Sequence, residues 1–85
     1  MKYTLNAIQE KLDTLNTRNG TPLETYSRNA NGEYISNAGN YHIGRAYGST
    51  KIQQICGNGS GVKEVIAFGT KREVYLKLCK YMLTN

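Results

Sequence analysis

Leu5, Ile8, Leu12 and Leu15 recur at spacings of three, four and three, which places them on one stripe of a helix. Thr4 or Asn6 stands where an N-cap belongs, and Gln9 follows Asn6 at the reciprocal capping distance. The helix is expected to end near Thr17, because Asn19-Gly20 offers a left-handed cap and Pro22 forbids continuation. Glu10 and Asp13 fall off the stripe and read as solvated.

From Leu23 onward the pattern shortens to strand-like runs divided by Gly and Asn. Leu23 to Arg28 half alternates and predicts a first strand, and Glu33 to Ser36 a second. Between them Asn29-Ala30-Asn31-Gly32 predicts a hairpin turn, since Asn and Gly both tolerate positive φ. After the turn-rich Asn37-Ala38-Gly39-Asn40, a third strand is expected from Tyr41 to Tyr47. A corner at Gly48-Ser49-Thr50 then leads to a fourth, Lys51 to Cys56. Gly57-Asn58-Gly59-Ser60-Gly61 reads as a hairpin loop and Val62 to Phe68 as the best-defined strand. Gly39, Gly44 and Gly48 each interrupt or bulge a strand pattern.

Thr70-Lys71-Arg72-Glu73 is a capping box that opens a second helix. Val74, Leu78, Tyr81 and Met82 form its apolar stripe, widened by Tyr75, Leu76, Cys79 and Leu83. Glu73, Lys77 and Lys80 lie opposite, with Glu73 and Lys77 at the favourable i,i+4 spacing. The expected fold is α+β, one domain over residues 1–85. It comprises an N-terminal helix, an antiparallel meander of three to five strands and a C-terminal helix, with both helices on one face of the sheet.

Composition narrows the function. A chain of 85 residues buries only about 60–65% of its unfolded surface, which makes a deep enzyme pocket costly and a binding surface cheap. Dimerisation would add core, so a homodimer is among the expected states. Thirty-nine per cent hydrophobic residues with one Pro argue against disorder. No run reaches the roughly 18 apolar residues of a membrane helix. The opening residues turn polar at Asn6, Gln9 and Glu10, without the apolar region of a signal peptide, so no membrane partner and a cytoplasmic location are expected. Cys56 and Cys79 read as reduced, buried, small hydrophobes. His42 is the sole histidine, so neither a metal site nor a cofactor is expected.

Charge changes the picture more. Residues 1–44 carry four cations and four anions, whereas residues 45–85 carry seven Lys and Arg against Glu64 and Glu73. The entire +5 therefore sits in the C-terminal half. That asymmetry points to an anionic partner, either nucleic acid or an acidic protein surface; a merely solvated basic face is the plainer alternative.

Enzyme motifs are missing. The glycine-rich run leads into a strand, whereas a phosphate loop leads into a helix. Ser27, Ser36, Ser49 and Ser60 have no candidate base except His42. Glu24 and Glu33 are expected across the first hairpin, where such carboxylates ordinarily keep a sheet edge soluble. Tyr41, Ile43, Arg45 and Tyr47 share one face of the third strand, opposite His42, Gly44 and Ala46. If the small residues lie under the helices, an exposed Tyr/Arg patch results, with Tyr26 and Tyr34 near it. The composition would suit an interface hot spot or a base-stacking platform. The alternative puts Tyr41, Ile43 and Tyr47 in the core. Lys71 and Arg72 add cations to a helix start that already attracts anions.

The order helix, strands, helix is similar to that of the double-stranded-RNA-binding domain. That family's Gly-Pro-x-His turn is replaced by Asn29-Ala30-Asn31-Gly32, so no RNA contacts are carried over. Residues 41–83 resemble small phage and mobile-element proteins of unassigned function. In those a strand ending Tyr-Gly, a Gly-rich hairpin and a Thr-x-Arg-Glu helix close the domain, as Tyr47-Gly48, Gly59-Ser60-Gly61 and Thr70-Lys71-Arg72-Glu73 do here. The resemblance implies an accessory protein that binds a host macromolecule, a protein or protein–nucleic-acid complex, to inhibit a defence system. The expected function is thus non-enzymatic binding through Arg45, Tyr47, Lys51, Lys71, Arg72 and Lys77. The alternative is direct nucleic-acid binding by the same basic half.

Overall fold

The computed structural model describes residues 2–56 and 61–84. Helix α1 spans Leu5–Asn19, followed by strands β1 (Tyr26–Arg28), β2 (Tyr34–Ser36), β3 (Tyr41–Ala46), β4 (Ser49–Ile55) and β5 (Val62–Gly69), then helix α2 (Lys71–Thr84). The α+β order is as expected. The strands, however, form two sheets: a β1–β2 ribbon and an antiparallel sheet of order β3-β4-β5. The expected loop at Gly57–Gly61 lies, apart from Gly61, outside the described residues.

Local chemistry sets the helix ends. Thr4, not Asn6, caps α1, its hydroxyl accepting from the Ala7 amide. Gly20 at φ 69 closes the helix, two residues beyond the expected stop, with its amide donating to the Asn16 and Thr17 carbonyls. The α2 capping box forms in both directions. The Glu73 amide donates to the Thr70 hydroxyl, and the Thr70 amide donates to the Glu73 carboxylate, each at 3.1 Å. These two bonds hold the Glu73 carboxyl below the usual glutamate value.

One buried cluster joins both helices to a single face of the three-stranded sheet. Ile8, Leu12 and Leu15 of α1 and Val74, Tyr75, Leu78 and Met82 of α2 pack on Tyr41, Ile52 and Ile66. Leu76 and Leu83, expected to widen the α2 stripe, instead face solvent. Cys56 and Cys79 are free thiols and only half-buried, less hidden than small core residues would be. The helices run side by side in the same direction: Lys11 lies over the Tyr75 ring, and Arg18 donates to the Met82 carbonyl. Both helix N-termini therefore share one end of the molecule.

Asn16 joins α1 to the sheet. It is fully buried on the same stripe as Ile8 and Leu12. Its carboxamide donates to the Tyr41 carbonyl at 3.1 Å and accepts from the Tyr41 amide at 2.9 Å. The Thr21 hydroxyl donates to the same Asn16 oxygen at 2.7 Å. The side chain thus pairs with the first residue of β3 much as a neighbouring strand would.

The ribbon is held differently. Its loop is five residues long, not a tight Asn-Gly turn, because the Asn29 side chain accepts from the Asn31 and Glu33 amides and only Gly32 adopts positive φ. Asn37 donates to the Glu24 carbonyl and Asn40 to the Pro22 carbonyl, which moors the ribbon to the segment that enters β3. Both strands of the ribbon are largely exposed.

On β5 the register against β4 shifts twice. The second shift turns Val65 as well as Ile66 toward the core, so strict alternation fails there. The Tyr41 and Tyr81 hydroxyls meet at 3.2 Å. Burial and this bond push the Tyr81 hydroxyl up to about 12.

Replacing Asn16 with Ala should destabilise the fold by about 2–4 kcal/mol, because it strands the buried Tyr41 amide and carbonyl; denaturant melts measure it. Thr70→Ala should cost about 0.5–2 kcal/mol in the same assay, and coincident curves would rule the cap out. A pH series reads the two titrations with opposite signs. The Glu73 contribution is present above its ordinary value of 4.5 and declines as acid protonates it. The native state keeps the Tyr81 proton that the unfolded chain releases, so stability should fall as pH rises from 10 toward 12.

Candidate functional site

The β3–β4 connection departs most from its sequence pattern. Ala46 pairs with Ser49, leaving Tyr47 and Gly48 as a two-residue loop. Their φ angles are 52° and 77°, the pattern of a type I′ turn, whose twist suits a tight hairpin. Ser49 and Thr50 of the expected corner are therefore part of β4, and Tyr47 leaves the strand. Asn or Gly is the usual first residue of such a turn, since other side chains crowd the backbone at positive φ. Tyr47 is the one described non-glycine residue with positive φ, and its side chain is wholly exposed.

Strand register then gathers the cations. Arg45 pairs with Thr50, and Thr50 with Gly69, directly before the cap of α2. Arg45, Tyr47, Lys71 and Arg72 consequently share the end of the molecule where both helices begin, and all four are exposed. The one carboxylate of α2, Glu73, is turned back onto Thr70.

Two expected site residues lie elsewhere. Lys51 projects from the sheet face opposite the helices. Its ammonium sits 4.6 Å from the Phe68 ring centroid and 4.0 Å from the Glu64 carboxylate. Lys77 stands six residues beyond Lys71, about 9 Å along the helix axis, beside Lys80 on the wall facing Val65 and Ala67.

The outward Tyr-Ile-Arg-Tyr face does not form. Tyr41 is in the core, and Ile43 packs against it, opposite Ile52. The small residue Gly44 serves the other face: a Cβ there would come within 2.8 Å of the Gln53 Oε1 and 3.2 Å of the Lys51 Cγ. His42 shares that face, with its Nε2 3.2 Å from the Gln53 amide oxygen. A Tyr/Arg surface does exist, on the ribbon. Register places Tyr26, Arg28 and Tyr34 on one face, and Arg28 lies 5.2 Å from the Tyr34 ring centroid. Sequence reasoning noted the two tyrosines but not Arg28.

The two glutamates expected across the first hairpin stay apart. Glu24 precedes β1 and Glu33 lies in the ribbon loop, so they do not face each other across paired strands. Among the described residues no three His, Cys, Asp or Glu side chains gather as metal ligands, and no helix is long and apolar enough to cross a membrane. A cleft of about 550 Å³ runs along β3, with Gln9, Thr25, Tyr26, His42, Arg45 and Gln53 in its walls. Three comparisons bear on kinship: no family model, no curated protein and no solved structure matches this chain.

Proposed function

We propose that the chain is a non-enzymatic binding protein of a phage or mobile element. It occupies a host macromolecular surface through the pole formed by Arg45, Tyr47, Lys71 and Arg72. Inhibition of a defence system is the role this mode of action suits.

The observation that carries the reading is Tyr47. A left-handed backbone costs a non-glycine residue about 1–2 kcal/mol, and here the ring gains no packing in return. Such uncompensated strain clusters at ligand-contacting sites. An exposed tyrosine flanked by arginine, with cations around it, has the make-up of a hot spot inside a charged rim. The rim would speed encounter with an acidic surface and the centre would hold it. Lys51 and Lys77, first grouped with these residues, contribute at most to the surrounding field.

Direct nucleic-acid binding is the second reading, favoured by the same tyrosine as a stacking platform among cations. Salt separates the two. A nucleic-acid partner gives log affinity falling linearly with log salt, and removing Lys71 or Arg72 should each flatten the slope by about one. Micromolar or tighter binding to random duplex DNA, duplex RNA or single strands at about 100 mM salt would displace the protein reading.

Tyr47→Asn is the decisive variant. It should raise unfolding free energy by about 1 kcal/mol while weakening retention of the partner captured from host lysate, with nuclease present. A variant that is stabilised but captures the partner as well as the parent does would remove Tyr47 from the site.

A further inference from the structure

We infer that the free edge of β3 is a receptor for an extended acidic segment of the partner protein, which adds to the sheet as a further strand. The inference rests on the reading of the chain as a protein-binding module and names how that binding is made.

Backbone direction carries the argument. The Tyr41 amide and carbonyl point away from β4, because both are taken by the Asn16 side chain. In an antiparallel pair, residues alternate between bonding inward and outward. Ile43 and Arg45, two and four residues on, therefore present their amides and carbonyls to the same free side as Tyr41. His42, Gly44 and Ala46 bond to β4. Asn16 fills the first rung of the edge and leaves the next two open. The open rungs face the cleft along β3, whose far wall is Thr25 and Tyr26 at the start of the ribbon. His42 to Ala46 is about 16 Å of regular edge, and its register against β4 is unbroken.

The sheet's other edge is treated differently. β5 carries two register shifts, a device that twists an edge away from pairing with foreign strands. Irregularity guards β5 and is absent from β3. The cleft chemistry then selects the occupant. Among the described residues, Arg45 is the charged side chain in its wall, no Asp or Glu lines it, and the buried His42 Nδ1 has no hydrogen-bond partner. A strand laid there gains main-chain bonds from Ile43 and Arg45, and a carboxylate on it meets Arg45. It would also bring β1 and β3 into one continuous sheet.

Selection from a random-peptide display library on the native protein tests this, followed by amide exchange with a synthesised selected peptide. The selected peptides should be rich in Asp or Glu, and the Ile43 and Arg45 amides should slow on binding. Arg45→Pro removes one outward donor without touching the β4 ladder and should weaken binding about tenfold or more. Arg45→Ala, which keeps the donor, separates the backbone contribution from that of the guanidinium. Binding equal to the parent by both variants would overturn the inference, as would protection confined to other amides or no enrichment over an unrelated protein. Protection of Ile43 and Arg45 that appears without peptide, and grows with protein concentration alongside a dimer in sedimentation, would assign the edge to a second copy of the chain and overturn it too. Failure of the pole appears elsewhere, as undiminished partner capture by Tyr47→Asn, so the two outcomes are distinct.

Discussion

The structure hinges on one buried carboxamide. Asn16 sits where the apolar stripe of α1 would place a leucine, at the i+4 position from Leu12, and it is fully enclosed. An amide in that position is costly unless its polar atoms are paired. Three of its four hydrogen-bonding positions are used, on the Tyr41 amide, the Tyr41 carbonyl and the Thr21 hydroxyl. The consequence is directional. Apolar packing would hold α1 against the sheet at many rotations and offsets, whereas this amide accepts one. It fixes the end of α1 to the start of β3 and ties down the chain that leaves the helix at Thr21. Beside it, Arg18 on the same last turn of α1 donates to the Met82 carbonyl of α2. With the helices so placed, their N-termini come to the end of the molecule where β5 hands over to α2.

Asparagine recurs in the same role through the loops. Asn29 closes the ribbon loop, Asn37 reaches back to Glu24 and Ser27, and Asn40 reaches to Pro22 while its own backbone pairs with Ile55. An 85-residue chain with a thin core has few apolar groups to spend on loops. Side-chain amides hold those loops with hydrogen bonds instead. The ribbon is the limit of this strategy: it has little buried surface of its own and is anchored chiefly through polar bonds at its base, so it tolerates exposed Tyr26, Tyr34 and Ile35.

What the sequence disclosed and what it hid divide by range. Both helix starts were legible because a cap is written within four residues, as Thr70 and Glu73 show. The role of Asn16 was not, since its partner is 25 residues away. A signal was present nonetheless: a polar residue in line with Ile8 and Leu12 on the apolar stripe marks a buried polar contact of some kind. The face of β3 was undecidable because Tyr41 and Tyr47 look alike in an alternating pattern. One lies in the core with its hydroxyl on Tyr81, and the other leaves the strand at a positive φ that tyrosine seldom adopts. The charge surplus drew attention to Arg45, Lys51, Lys71, Arg72 and Lys77 together. Only register showed that Lys51 and Lys77 lie apart from the others.

The two ends of β3 are constrained by unlike means, and the combination bears on binding. At one end the Tyr41 backbone is clamped by Asn16; at the other, Tyr47 is held in a strained turn by the ladder from Ala46–Ser49 inward. The strand between has little freedom left to lose. Ordering of loops and side chains on association commonly consumes much of the gross interaction energy. On the proposed binding reading, an element whose ends are already fixed avoids most of that cost. In this light the strain at Tyr47 and the buried amide at Asn16 serve one end. Together they hold Tyr47 and the open edge from Ile43 to Arg45 in a single geometry.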